Sequence, residues 1–227
     1  HALMALLLEL PSRTTLENLS NLTDPVLIFT RKKEFMKKIA LNMKGVLEHC
    51  ALKINKTTMD CENSIGKRAL LEKLLKYLVL IDSDIGIRIA KKISKNKNMT
   101  LSIIGLKSLC LGDSKIALEY LDEFYKKWEG NELVIEKWFE IMSTLNIESE
   151  GINFIKNLLN HKAFDYKNPN KLRSVLNTFQ RENVLLFHAN DNSGYKFISQ
   201  EISIIDKNNP QVAARLILPL TRFSNYT

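Results

Sequence analysis

The chain has 227 residues, of which 45% are hydrophobic and 26% charged, with only 8 glycines and 5 prolines. This composition excludes a disordered chain and a collagen-like repeat, and it disfavours a turn-rich β fold. Lysine and arginine exceed aspartate and glutamate by 33 to 25, a net charge of +8 that suits nucleic acid or an anionic membrane. The lysines are nevertheless scattered among glutamates, without an aromatic-flanked basic block, so we expect no nucleic-acid partner.

The three cysteines, Cys50, Cys61 and Cys110, are odd in number and lack the spacing of metal ligands. This pattern favours buried or free thiols in a reducing compartment, and we expect a cytoplasmic location. The apolar opening Ala2–Leu10 is too short to span a bilayer and follows no basic segment of a signal peptide. Because the chain begins at His1 without an initiator methionine, we expect it to be a piece of a longer protein.

Apolar residues follow a helical period along nearly the whole chain. From residue 70 they recur every three or four positions, as in an amphipathic helix, at Leu70, Leu71, Leu74, Leu75, Leu78 and Val79. The same spacing resumes after two turn-like dipeptides, Gly112-Asp113 and Gly130-Asn131. We expect Gly112 to occupy the position after one helix and Asp113 or Ser114 to cap the next.

Three prolines follow a short polar residue and mark helix starts: Asp24-Pro25, Asn168-Pro169 and Asn209-Pro210. The Asp or Asn side chain accepts a backbone N–H, and proline at the first helical position sacrifices no hydrogen bond. We expect about eleven helices of roughly 10–20 residues and no strand pair. Short connections make neighbouring helices antiparallel, and such pairs stack into an α-solenoid. No strict repeat of about 34 or 40 residues is visible, so the repeats would be degenerate.

The sequence contains no recognisable catalytic machinery. A helical zinc site of the His-Glu-x-x-His type needs two histidines four residues apart, whereas the four histidines are His1, His49, His161 and His188. The chain also lacks a nucleophile elbow, a phosphate-binding loop and a dinucleotide fingerprint. A lone histidine beside an apolar residue, such as His188, is typically a hydrogen-bonded structural residue.

Two further features have a structural and a functional interpretation. Trp128 and Trp138 offer a stacking platform, but their helical spacing favours the core, so we expect both to be largely buried together with Phe139 and Phe179. The basic run Lys91–Lys97 closes a predicted helix, where cations complement the C-terminal dipole. It therefore predicts a solvated helix end.

The last third of the chain carries two distinctive motifs, Phe187-His188-Ala189-Asn190-Asp191-Asn192-Ser193-Gly194-Tyr195 and Asn209-Pro210-Gln211-Val212-Ala213-Ala214-Arg215-Leu216. They resemble Phe-His-x-x-Asp-Gly-Ser-Gly-Tyr and Asn-Pro-Gln-Val-Ala-x-Arg-Leu in the C-terminal domain of M1-family zinc aminopeptidases of the aminopeptidase N type. Other segments match in order, among them Leu10-Pro11-Ser12, Asn98-Met99-Thr100, Glu136-Lys137-Trp138-Phe139 and Asn168–Ser174. The resemblance covers essentially the whole chain.

The resemblance implies an all-α domain over residues 1–227, an armadillo/HEAT-like superhelix of antiparallel helix pairs. In the family this domain covers the active site and shapes the channel for peptides and released amino acids. The catalytic domain lies upstream in the same polypeptide and carries the zinc, so no cofactor is expected in this chain. Compared with the family, the chain stops short of the final helices, which would expose apolar surface and favour self-association of the piece.

The first motif departs from the family at one position, where Asn192 replaces glycine. Asparagine is among the few residues that tolerate a left-handed backbone, so we expect the turn to survive. We interpret the motif as structural: Asp191 or Ser193 caps the helix that begins with Tyr195, after Gly194, and His188 bonds locally.

Three substrate-channel candidates follow from the resemblance. The family's Gln and Arg in the Asn-Pro-Gln motif face the active-site cavity, which selects Gln211 and Arg215, and the Arg of the Asn-Pro-Asn segment selects Arg173. Spacing supports part of this, because Gln211 and Arg215 are four residues apart and share one helix face. Pro219 cannot donate to the carbonyl of Arg215, so the helix is expected to kink or end there. Alternatively, these residues form only a solvated polar face.

The leading hypothesis is therefore a non-catalytic C-terminal domain of an aminopeptidase that removes N-terminal residues from peptides. Its partners would be the upstream catalytic domain and peptide substrates, and no membrane span is expected. The alternative is a freestanding helical-repeat adaptor that binds a protein or peptide on its concave face. Nucleic-acid binding through the +8 charge is the third hypothesis.

Overall fold

The computed structural model describes residues 1–19, 21–57 and 64–226. Of these, 74% are helical and none lies in a strand, the single β-bridge being between Thr23 and Tyr226. The all-α prediction is confirmed. Cys61 lies outside the described residues, whereas Cys50 and Cys110 are free thiols.

The described residues form fifteen α-helices, and two further helical segments continue them. The first eight are α1 (Ala2–Leu7), α2 (Arg13–Glu17), α3 (Pro25–Asn42), α4 (Lys44–Asn55), α5 (Ile65–Leu80), α6 (Asp84–Ser94), α7 (Met99–Leu109) and α8 (Ser114–Trp128). The others are α9 (Glu132–Met142), α10 (Ile152–Leu159), α11 (Pro169–Leu172), α12 (Thr178–Glu182), α13 (Val184–Phe187), α14 (Ser193–Asp206) and α15 (Pro210–Ile217). A π-helical segment, Arg173–Asn177, joins α11 to α12, and a 3₁₀ segment, Leu218–Asn225, follows α15. The prediction of about eleven helices was too low. Several of the helices have only four to six residues, shorter than the 10–20 residues expected.

The chain forms two compact units. Unit 1 consists of His1–Ser12 and Thr30–Phe124, and unit 2 of Arg13–Phe29 and Tyr125–Thr227. That residues 1–227 make one domain stays a prediction.

Helix α5 forms the centre of unit 1. Its apolar residues Leu71, Leu75 and Leu78 are fully buried, and it packs against α1, α4, α6 and α7. Helices α6 and α7 are joined by four residues and approach each other closely at Gly105. A Cβ at this position would lie 2.6 Å from the carbonyl oxygen of Ala90. Only glycine fits at this crossing.

The core of unit 2 is aromatic. Phe179 is fully buried and contacts Phe187 and Phe197 with ring centroids 5.7 and 5.8 Å apart. Trp138 and Phe139 are also buried, as predicted. Trp128 is only partly buried and lies under the ammonium group of Lys127, 5.4 Å from the ring centroid, so its expected burial was overestimated.

Most predicted helix ends are confirmed. Asp24, Asn168 and Asn209 each accept backbone N–H bonds at the start of a helix whose first residue is proline. Asn131 caps α9 in the same way. The position predicted for Gly112 was wrong, because α7 ends at Leu109 with Cys110 as its C-cap, and Gly112 lies two residues beyond the cap.

Candidate functional site

Arg173 lies where the α-helical pattern of unit 2 is interrupted. Asn168 Oδ1 accepts the backbone N–H of Asn170 at 2.9 Å and so fixes the start of α11. The helix then widens into the π-helical segment, which begins at Arg173. Ser174, Val175 and Leu176 are buried, whereas Arg173 is exposed. A π-helical segment within an α-helix is frequently found at functional sites.

Helix α15 presents the other two predicted residues. Val212, Ala213 and Leu216 are buried on one side of the helix, and Gln211 and Arg215 are exposed on the other. Because residues four apart are neighbours on a helix surface, Gln211 and Arg215 form a polar pair open to solvent.

The end of α15 agrees with the expectation from Pro219. The α-helix ends at Ile217 and continues as the 3₁₀ segment, which contains Pro219. Proline supplies no N–H for the carbonyl of Arg215, so the α-helical hydrogen-bond ladder stops there.

The structure thus places Arg173, Gln211 and Arg215 in unit 2 with exposed side chains. It brings Gln211 and Arg215 together on one helix face. That Arg173 faces the same cavity stays a prediction.

The motif at residues 188–195 forms a tight turn into α14. Asn192 adopts the left-handed conformation with φ 59° and ψ 17°, so the asparagine does take over the backbone role of glycine. Asp191 Oδ1 accepts the backbone N–H of Ser193 at 2.9 Å, and this bond lowers the pKa of the Asp191 carboxyl. Helix α14 begins at Ser193, two residues before the predicted start at Tyr195.

Gly194 is required by the close approach of this turn to α13. A Cβ at Gly194 would lie 2.6 Å from the carbonyl oxygen of Leu186 and would contact the carbonyl oxygen of Phe187 still more closely. Any larger residue would push α14 away from α13.

Both ring nitrogens of His188 are hydrogen-bonded. Its Nδ1 lies 2.7 Å from Tyr195 Oη, and Arg13 Nη1 donates to its Nε2 at 3.2 Å. Burial, reinforced by the positive charge of Arg13, lowers the pKa of His188 to about 4. Burial also raises the pKa of Tyr195 to about 12. The imidazole is therefore neutral and the phenol protonated at neutral pH.

The contact with Arg13 belongs to an ionic cluster that sequence reasoning missed. Arg13 Nη1 lies 3.1 Å from Glu17 Oε1, and Arg222 Nη1 lies 3.5 Å from Glu17 Oε2. The Glu17 side chain is buried, so two guanidinium groups offset the cost of removing its charge from water. The Arg13–Glu17 pair lies within α2, whereas the contacts of Glu17 with Arg222 and of Arg13 with His188 tie α2 to the C-terminal part of unit 2. These last two join residues far apart in sequence, so no local pattern predicts them.

In the part of the chain that the structure describes, no set of side chains is arranged to bind zinc. No group of three or more His, Cys, Asp or Glu side chains lies close enough there to hold a metal ion. Among the described residues, the donors therefore do not fit a zinc ion. The described helices also include none long and apolar enough to cross a lipid bilayer.

The described residues form an all-α structure with an exposed polar face on α15 and a hydrogen-bonded histidine in the turn before α14. Comparison with family models agrees: a model described as a domain of unknown function with ARM repeats, DUF3458_C, matches residues 1–227. The chain belongs to this family.

Curated relatives place the domain within larger proteins. The chain is 29% identical over 231 residues to aminopeptidase N of Escherichia coli and 29% identical over 229 residues to aminopeptidase N of Haemophilus influenzae. Each alignment covers 99% of the chain but only 26% of the relative. The chain thus spans about a quarter of the length of these relatives and is homologous to their C-terminal domain.

A solved structure shares the fold. The crystal structure of Legionella pneumophila aminopeptidase A in complex with aspartic acid matches 98% of the chain and 27% of its own length, with a TM-score of 0.86 and 24% identity. At this identity the likeness establishes the architecture alone.

Proposed function

We propose that this chain is the non-catalytic C-terminal domain of a zinc-dependent M1 aminopeptidase. The observation that carries the proposal is the similarity to aminopeptidase N over 99% of the chain. The sequence lacks His-Glu-x-x-His, so the zinc and the hydrolytic residues would belong to the upstream catalytic domain. The domain would cover the active site and shape the channel through which peptides enter and amino acids leave.

Within this proposal, Arg173, Gln211 and Arg215 contact the peptide. All three side chains are exposed and therefore available to a ligand. A guanidinium group offers a planar fork of donors that suits a peptide carbonyl or terminal carboxylate, and the amide of Gln211 both donates and accepts. The polar face of α15 accordingly matches the chemistry of a peptide backbone.

The test of the channel role uses the full-length parent enzyme. Arg215→Ala should raise KM several-fold with kcat and zinc content nearly unchanged, because the contact holds substrate and transition state alike. Arg88→Ala, an equally exposed arginine on α6 in unit 1, is the matched control and should leave KM unchanged. Equal effects of the two substitutions, or none, would contradict the assignment of Arg215.

The test of the domain role uses the 227-residue chain. Metal analysis should find no stoichiometric zinc, and an aminoacyl reporter should not be hydrolysed. One zinc per chain together with hydrolysis would refute the proposal. If the gene encodes no His-Glu-x-x-His upstream, the freestanding adaptor becomes the better interpretation.

A further inference from the structure

Positive charge is concentrated where α3 meets α4 in unit 1. We call residues 30–46 the basic corner. It carries six cations and one carboxylate, a net charge of +5 in a chain whose total is +8: Arg31, Lys32, Lys33, Lys37, Lys38 and Lys44 against Glu34. Glu34 is paired with Arg31 at 2.8 Å. The expectation that basic residues are merely scattered among glutamates is wrong for this corner.

The same corner exposes large apolar side chains. Leu41 is 63% exposed, Val46 60% and Phe35 55%, and Met43 also reaches solvent. Leu41 lies one helical turn after Lys37 and Lys38, so the cations and the apolar group occupy one side of α3. Met43, Lys44 and Val46 extend this mixed surface around the turn into α4.

The combination distinguishes the basic corner from the second basic stretch of unit 1. Residues 88–97 include Arg88, Lys91, Lys92, Lys95 and Lys97. No large apolar side chain is exposed among them, and Lys95 is engaged with Glu123 at 2.7 Å and with the ring of Tyr120. The basic corner therefore differs from residues 88–97 because it combines positive charge with exposed apolar side chains.

We propose that the basic corner binds the surface of an anionic phospholipid membrane. Charge complementarity selects this occupant: lysines meet the lipid phosphates and carboxylates, while Leu41, Met43 and Val46 enter the region between the headgroups. Lysine suits this arrangement because its alkyl stem lies along apolar surface while the ammonium group stays in water. Nucleic acid would also attract the cations, but it offers no apolar layer for the three aliphatic side chains.

Sedimentation with vesicles tests the proposal on the 227-residue chain. The chain should bind phosphatidylcholine vesicles containing roughly a third phosphatidylserine, and not pure phosphatidylcholine. Each cation near an anionic surface is worth about fivefold in affinity, so the triple variant Lys37→Gln, Lys38→Gln, Lys44→Gln should bind about a hundredfold more weakly. Circular dichroism checks that it remains folded.

A control variant removes the same charge elsewhere. Lys95, Lys137 and Lys162 are exposed and lie within 3.3 Å of glutamate oxygens. Their triple substitution by Gln gives the same net charge and should reduce binding much less. Equal loss in the two triple variants would show attraction by net charge only and overturn the proposal.

The apolar contribution has its own pair of variants. The double variant Leu41→Ser, Val46→Ser should weaken vesicle binding at least tenfold. The control Leu133→Ser, Ile204→Ser, at exposed apolar positions of unit 2, should not. Unchanged binding of the Leu41→Ser, Val46→Ser variant overturns the proposal, as does binding of a DNA duplex with no binding of vesicles.

Discussion

The neutral state of His188 predicts a specific loss of stability in acid. Arginine can only donate, so Nε2 of His188 must accept from Arg13 and Nδ1 must carry the proton that is donated to Tyr195. Protonating Nε2 would direct an N–H at a guanidinium group. Burial of the ring, together with the positive charge of Arg13, disfavours protonation in the folded protein and lowers the pKa of His188 from 6.5 to about 4.

The sign and size of the effect follow from this shift. The unfolded chain takes up the proton below pH 6.5, whereas the folded chain does so only near pH 4, so stability is present above 6.5 and lost as the pH falls towards 4. At about 1.4 kcal/mol per pKa unit, and reduced because the ring is partly exposed, the loss between pH 7 and 5 is about 1–2 kcal/mol.

Urea unfolding at pH 7, 6 and 5 measures this loss against a variant. His188→Gln removes the titrating group and keeps a donor and an acceptor, so its free energy of unfolding should change less over this range. The advantage of the wild type over the variant should then shrink by about 1–2 kcal/mol towards pH 5. If the free energies of unfolding of the wild type and the variant changed equally with pH, the reasoning would be refuted. An NMR titration that gave the His188 ring a pKa at or above its ordinary value would refute it as well.

Two further substitutions probe unit 2. Gly194→Ala should destabilise the chain by about 2–3 kcal/mol in urea unfolding, because its Cβ collides with α13, whereas Gly130→Ala, which has open space around it, should stay within about 0.5 kcal/mol. Equal losses of stability in the Gly194→Ala and Gly130→Ala variants would contradict the close approach of Gly194 to α13. Gln180 is buried, and neither polar atom of its side chain has a hydrogen-bond partner among the described residues, so Gln180→Met should raise the free energy of unfolding by about 1 kcal/mol. A loss of stability would show that the amide is satisfied.

Local sequence chemistry predicted the features of the fold that depend on neighbouring residues. The three Asx-Pro helix starts depend on an acceptor and a donor two or three residues apart, and all three formed. The left-handed backbone at Asn192 likewise follows from the properties of one residue. Such features need no knowledge of the rest of the fold.

Features that depend on distant contacts were not predictable in this way. The hydrogen bond between Arg13 and His188 joins residues 175 positions apart, and no periodicity links them. The exposure of Leu41 and Val46 also escapes sequence patterns, because their apolar character alone suggests burial. The π-helical segment at Arg173 depends on the packing of the buried residues that follow it.

The structural turn and the proposed channel face are physically connected. Gly194 and the Asp191–Ser193 hydrogen bond fix the start of α14, and α14 packs against α15. Helix α15 in turn carries Gln211 and Arg215. Because a helix transmits a displacement of its start along its length, a defect at the turn would shift these side chains without touching them. We therefore predict that the turn at residues 188–195 positions the polar face of α15, which would give a structural motif a place in the proposed handling of peptides.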